Sequence, residues 1–256
     1  MCLVALAWKT HPRWRLVLAG NRDEFHARPT APLAPWADVP GVTAGRDLQS
    51  GGTWAGVGAD GRMAVVTNVR DPGLATPPGA PSRGAMVAGF LAATDSAGAA
   101  AIALQAQAGR FAPFNLLLAD ATHCAYIGNW PAPTVRVVAP GVHGISNGPF
   151  DDPWPKTRRL CVALSGWLQG DAEDPAPLWD ALADEHLAPD PDLPRTGVPL
   201  ELERRLSATF IRDGRYGTRA STLIAIDHGG GGWIAERRFG PEGLFDGQTR
   251  IALPKS

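Results

Sequence analysis

The sequence predicts an α+β layered domain in which two antiparallel sheets are sandwiched between helical layers. Three observations predict it. Short apolar runs of strand length are joined by breakers and tight turns, so neighbouring strands pair antiparallel. Segments with helical apolar spacing, the first pair rich in alanine, occur in two groups rather than alternating with single strands. The resulting order of strands, helices, strands, helices, strands argues against βαβ units. One domain over residues 1–256 is expected, because a chain with 45% hydrophobic residues and this length buries roughly three-quarters of its unfolded surface.

Leu3 to Trp8 and Arg15 to Gly20 are β-like runs separated by a Thr10-His11-Pro12-Arg13 breaker and read as an opening hairpin. Asn21-Arg22-Asp23-Glu24 then closes the second strand beside the start of the first, next to Cys2. A Pro-rich loop follows (Pro29, Pro32, Pro35, Pro40). Thr53 to Gly58 and Met63 to Asn68 flank Asp60-Gly61, a strong hairpin signal. Helices are predicted over Ser82 to Ala93 and Ser96 to Ala108. Strands follow at Phe114 to Ala119, Cys124 to Gly128, Val135 to Val138 and His143 to Ser146. Leu160, Leu164, Trp167 and Leu168 mark one face of a helix beginning near Pro155, and a second helix covers Leu178 to Leu187. Pro189 to Pro199 reads as a loop or crossover. Ser221 to Ile226 and Trp233 to Arg238 form a closing hairpin, with a last strand at Gln248 to Leu253.

Composition narrows the function classes. A formal charge of −1 and pI near 6.6 provide no electrostatic footprint for nucleic acid. No run approaches the about 18 apolar residues of a membrane span, and no basic segment precedes the first apolar run. Three cysteines, Cys2, Cys124 and Cys161, lack metal-ligand spacing and argue against a disulfide framework, so a reducing, cytoplasmic location is expected. Arginine outnumbers lysine 21 to 3, which associates the chain with a GC-rich bacterial genome. The Gly229 to Gly232 run lacks a following Lys-Ser/Thr and is not a phosphate loop. No metal site is expected, no cofactor is required, and oligomeric state is not legible.

Cys2 follows Met1 directly. Removal of Met1, which a small second residue favours, leaves a thiol and an α-amine on one residue. An amine with a pKa of about 7.7–8.0 can take the proton of a thiol that titrates near 8.5. A small apolar residue at the start of a strand is the alternative reading of Cys2. Asp23 can accept hydrogen bonds from an α-ammonium, and Arg22 can lower a thiol pKa or grip an anion. Alternation allows only some of Asn21, Arg22, Asp23 and Glu24 to face Cys2. Asn68 and Asn147 have amide N–H groups suited to an oxyanion hole, although asparagine at a strand end is also ordinary turn chemistry. Arg219 precedes an apolar strand, where a cation can be aimed into a cleft. His143, near Ser146 and Asn147, is a candidate pocket residue or haem ligand, against the commoner hydrogen-bonded structural histidine.

Met1-Cys2, Asn21-Arg22-Asp23-Glu24-Phe25, Gly51-Gly52-Thr53-Trp54, Thr67-Asn68, Phe114-Asn115-Leu116, Gly144-Ile145-Ser146-Asn147 and Tyr216-Gly217-Thr218-Arg219 together resemble the NRDE family, that of transport and Golgi organisation protein 2. The resemblance runs almost end to end. It implies an N-terminal nucleophile (Ntn) hydrolase fold, four layers in αββα order. A more distant similarity, to the penicillin V acylase and bile salt hydrolase group, implies roles. Cys2 would be the nucleophile, Asp23 the group that orients its amine, Asn68 and Asn147 the oxyanion donors, and Arg219 the late arginine. The arginine those enzymes carry beside the nucleophile is replaced by Gly20, with Arg22 two residues on.

The expectation is a cysteine hydrolase acting on a C–N amide or related acyl bond of a small substrate. Cys2, Asp23, Asn68, Asn147 and Arg219 would be its catalytic set, and Asn21, Arg22, Glu24, Trp54 and His143 would line its substrate. The family resemblance also implies an alternative, a haem- or acyl-CoA-binding trafficking protein that uses the same cleft without turnover. A hydrolase remnant with no ligand is a third.

Overall fold

The structure, a computed structural model, describes residues 2–255. In chain order it has β1 (Cys2–Trp8), β2 (Trp14–Phe25), β3 (Thr30–Pro35), β4 (Thr43–Asp47), β5 (Ala55–Val57) and β6 (Met63–Asn68). Helices α1 (Arg83–Ala92) and α2 (Ala97–Gln105) start where the hydroxyls of Ser82 and Ser96 accept the free amides of Gly84 and Ala99, the usual reason serine begins a helix. Strands β7 (Phe114–Ala119), β8 (Cys124–Gly128), β9 (Thr134–Val137) and β10 (Gly141–Ile145) precede α3 (Pro155–Gln169), α4 (Ala176–Leu182) and α5 (Leu200–Arg205). The chain then forms β11 (Tyr216–Asp227), β12 (Gly232–Phe239) and β13 (Phe245–Leu253).

Six strands pair in the order β10-β1-β2-β11-β12-β13, and seven in the order β3-β4-β5-β6-β7-β8-β9. Every pairing among them is antiparallel. Alternation assigns each strand's apolar residues to two cores. Val4, Leu6, Leu18 and Ile224 meet Met63, Val65 and Leu117 between the sheets. Leu3, Ala5, Val17 and Ala19 face Leu160, Leu164 and Trp179 of α3 and α4. On the far side, Ala64, Val66 and Leu116 face Met86, Phe90 and Ala101 of α1 and α2. The layers therefore run α, β, β, α, as the sequence predicts.

Beside β4, which was not expected, and α4, which ends at Leu182 rather than Leu187, three segments differ from expectation. The Pro-rich stretch after residue 28 contains β3, and Pro32 and Pro35 are tolerated there because β3 lies at a sheet edge, where a missing N–H costs no ladder bond. Part of the segment read as loop and crossover leads into α5, with Pro199 as its N-cap. Finally, β2 continues through Phe25, so residues 21–24 lie within a strand rather than after it. Its extension is held by β11, which pairs Asp23 with Thr218 and Phe25 with Tyr216.

Candidate active site

Cys2 is the first residue of β1 and lies opposite Arg22 of β2. Because Cys2 alternates in phase with Val4 and Leu6, its side chain belongs to the layer between the sheets. There a cavity of about 720 Å³ opens, lined by Cys2, Arg22, Glu24, Trp54, Asn68 and Arg83 among others. At its wall a loop and a helix end approach closely. A Cβ on Gly52 would lie 2.5 Å from the carbonyl carbon of Gly84, so Gly52 lets the 51–54 segment press against the first turn of α1. Arg83 then projects from that turn toward Cys2, with one Nη1 contact of 2.9 Å to the Pro113 carbonyl.

Strand alternation divides the Asn-Arg-Asp-Glu segment. Arg22 and Glu24 point between the sheets, where Arg22 Nη2 lies 3.5 Å from Glu24 Oε2. Arg28 approaches the same Glu24 oxygen at 3.7 Å and pairs with Asp47 at 2.6 Å. Arg22 is 8% exposed, and its Nη1 has no hydrogen-bond partner among the described residues. Asn21 and Asp23 face the helical layer. Asn21 Nδ2 donates to the carbonyls of Leu182 and Thr209, and its Oδ1 accepts from Ser221. Asn21 thus ties β2 to the helical layer and does not line the cavity.

Asp23 is buried. Its Oδ1 accepts from the Thr218 hydroxyl at 2.8 Å and its main-chain carbonyl from the Tyr216 hydroxyl at 3.1 Å. Burial pushes its carboxyl above the ordinary range, against the pull of Lys156, the Thr218 hydrogen bond and Arg22. Burial likewise raises the Cys2 thiol; Asp23 adds to the rise, while Arg22 and Arg83 oppose it. Two cations therefore favour the thiolate where desolvation disfavours it.

Asn68 closes β6 at the cavity wall. The Asn147 amide donates both to the Asn68 carbonyl and to its Oδ1, at 3.0 Å each. Asn68 Nδ2 donates to Val69 at 3.3 Å, leaving a second N–H. Asn147 is fully buried and lies against a second cavity of about 710 Å³ rather than the first. With its amide engaged, it stands behind Asn68. The register of this pair is fixed by Thr67, which donates to Ser146, and by Asn115, which donates to Thr67 and Gly148.

Two further sequence candidates lie elsewhere. Arg219 Nη1 donates to the carbonyls of Phe25, His26 and Arg28 and clamps that turn, lining a small neighbouring pocket with Arg22 and Trp54. His143 pairs across β1 with Leu6, stacks on Phe150, and bonds Asp151 at 2.8 Å and the Ala139 carbonyl at 2.9 Å. It is outside the cavity at Cys2. At Gly20, where the resemblance to the acylases implies an arginine is missing, a Cβ would lie 2.7 Å from the Leu3 carbonyl oxygen and 3.2 Å from Trp54 Cη2. Backbone and indole occupy that space.

Arg83 and Lys156 are not reached by sequence reasoning. The signal for Arg83 is its place just after the Ser82 cap. For Lys156 it is the spacing of four before Leu160. No group of three or more His, Cys, Asp or Glu among the described residues is arranged to hold a metal ion. Met1 lies outside the described residues, and with it the question of its removal. No helix among the described residues is long and apolar enough to cross a membrane.

Two face-to-face sheets between helical layers, with a cysteine at the head of an inner strand, define an Ntn-hydrolase fold. A Caenorhabditis elegans ortholog of N-acylethanolamine-hydrolyzing acid amidase superposes with TM-score 0.51 at 12% identity, covering 87% of this chain and 92% of that one. A mutant conjugated bile acid hydrolase from Clostridium perfringens does so with TM-score 0.51 at 8% identity, covering 98% and 92%. At these identities the likeness is one of fold. The family is narrower: the Transport and Golgi organisation 2 model matches residues 1–241, and the chain belongs to that family. The Bos taurus Transport and Golgi organization protein 2 homolog is 31% identical over 260 residues, covering 93% of this chain and 92% of the homolog. The Homo sapiens homolog is 30% identical over 274 residues, covering 98% and 97%.

Proposed function

We propose that the cavity at the head of β1 hydrolyses an amide or related acyl bond of a small substrate, with Cys2 as nucleophile once Met1 has been removed. The carrying observation is the convergence of Cys2, Arg22, Asn68 and Arg83 on one cavity, with Asp23 buried beside them. In this reading the α-amine of Cys2 takes the thiol proton as sulfur attacks the acyl carbonyl, so a preformed thiolate is not required. Asp23 holds the resulting ammonium, and the free N–H of Asn68 donates to the oxyanion. Collapse forms a thioester and expels the amine, which receives the proton. Water then cleaves the thioester and releases the carboxylic acid. Arg83, which has no carboxylate partner among the described residues, is suited to an anionic substituent.

The test pairs intact mass, which reports Met1 removal, with turnover of a panel of acyl amides and thioesters. Cys2→Ser and Cys2→Ala are expected to lower kcat/KM by ~10³ or more. Equal rates for parent and variants would sink the hydrolase reading.

The same arginines favour a second reading, binding of haem carboxylates or acyl-CoA phosphates without turnover. Haemin absorbance titration and acyl-CoA calorimetry on Cys2→Ala test it. Absence of saturable binding to either removes it.

A further inference from the structure

Lys156 stands in the first turn of α3 and is 1% exposed, the most deeply buried cation among the described residues. It heads the stripe Lys156, Leu160, Leu164, Trp167 that packs α3 onto the sheet. A leucine or methionine would complete that stripe without electrostatic cost. Instead the stripe ends in an ammonium whose Nζ makes no hydrogen bond with the described residues. Two effects oppose that placement. Lysine is almost never fully buried unless paired, and a cation in a first helical turn meets the positive end of the helix dipole.

The chain path shows what it is placed against. Because β10 runs antiparallel to β1, its end at Ile145 lies at the head of β1, and the Ser146 hydroxyl donates to the Cys2 carbonyl at 3.1 Å. The segment that follows returns to the helical side, where α3 begins. Asp23 faces the same side of the sheet, in phase with Val17 and Ala19. Burial pulls the Lys156 ammonium down to about 8, and Asp23 and then Cys2 pull it back up against Arg70 and Arg159. Reciprocally, Lys156 is the strongest influence opposing the upward push of burial on Asp23.

We propose that Lys156 is a positioning residue of the Cys2 site: its ammonium, held behind the sheet on the side that Asp23 faces, is the countercharge to the Asp23 carboxyl at the head of β1. The proposal deepens the reading of this site as one that needs an anion beside residue 2. Other charges acting on Asp23 include Arg22 on its own strand, Cys2 at the head of β1 and Arg70 after β6, and Tyr216 of β11 donates to its carbonyl.

Carboxyl NMR of protein carrying ¹³C-labelled aspartate, with Asp23 assigned through Asp23→Asn, reads its titration directly. In Lys156→Met the Asp23 midpoint is expected to rise by about one pH unit or more. Lys156→Arg should remain near the parent. Equal midpoints in parent and Lys156→Met would overturn the proposal. If Lys156→Met folds poorly, Asp23→Asn/Lys156→Met removes both charges and is expected to melt at a higher temperature than Lys156→Met. A double variant that melts no higher overturns the proposal equally. Neither readout needs turnover, so a failure of the hydrolase reading and a failure of this proposal are separate results.

Discussion

Cys2 and Cys124 are the first residues of β1 and β8, both are buried, and both belong to the layer between the sheets. Their surroundings differ in sign. Cys124 packs among apolar residues, and its nearest charge influence is the Asp120 carboxylate, so burial and that anion push its thiol up to about 12. Cys2 is also raised by burial, but Arg22 and Arg83 oppose the rise and a cavity reaches its side chain. Burial alone thus makes a thiol inert, and what separates a candidate nucleophile from a packing residue is the charge set that a neighbouring strand and helix bring to it.

The largest expected difference is chemical. Iodoacetamide at pH 8, followed by peptide mass spectrometry, should modify Cys2 at least ~100-fold faster than Cys124. Equal rates would erase the contrast. Arg83→Met sharpens it: removing one cation from beside Cys2 should slow modification of that residue about 10-fold at neutral pH and leave the Cys124 rate unchanged. An unaltered Cys2 rate would mean that Arg83 does not set the local charge. Cys124→Ala probes the opposite pole. It deletes a buried, well-packed sulfur, so stability measured in urea should fall by about 1–2 kcal/mol while Cys2 reactivity is unchanged.

The smallest effect concerns Asp120. Burial would raise this carboxyl, but backbone N–H groups of Ala97, His123 and Thr122, together with the Thr122 hydroxyl, hold it at about 2 rather than the ordinary 3.8. A carboxyl depressed in the folded state contributes stability above its unfolded pKa. That contribution is lost as pH falls through the depressed value. Between pH 4 and pH 2 the parent should therefore lose of order 1 kcal/mol more than Asp120→Asn, allowing for solvent screening. Acid unfolding curves of the two proteins check it. Parallel curves would show that the hydrogen bonds carry no charge dependence.

Much of the fold is legible in the amino-acid order. Phe114–Ala119 and Cys124–Gly128 agree with expectation residue for residue, because each is a short apolar run bounded by breakers. The caps at Ser82 and Ser96 are equally local signals. β3 escapes such reading because its prolines signal a loop unless the strand is known to lie at an edge. At the site, Cys2, Arg22, Asp23, Glu24, Trp54 and Asn68 stand out by their motifs and line one cavity. Arg219 and His143 stand out by residue type and neighbourhood, and each instead bonds carbonyls or a carboxylate away from that cavity.

The sequence by itself determined the antiparallel pairing that brings residue 2 beside residues 21–24, because turn chemistry and hydrophobic period are properties of adjacent residues. It also determined which faces of β1 and α3 are apolar. Only the tertiary structure decided that Arg83 from one sheet's helix reaches the cavity at Cys2, and that Lys156 from the other helical layer stands behind Asp23. Those juxtapositions join segments more than 60 residues apart in the chain. They depend on the packing of separate layers, and no local periodicity records that.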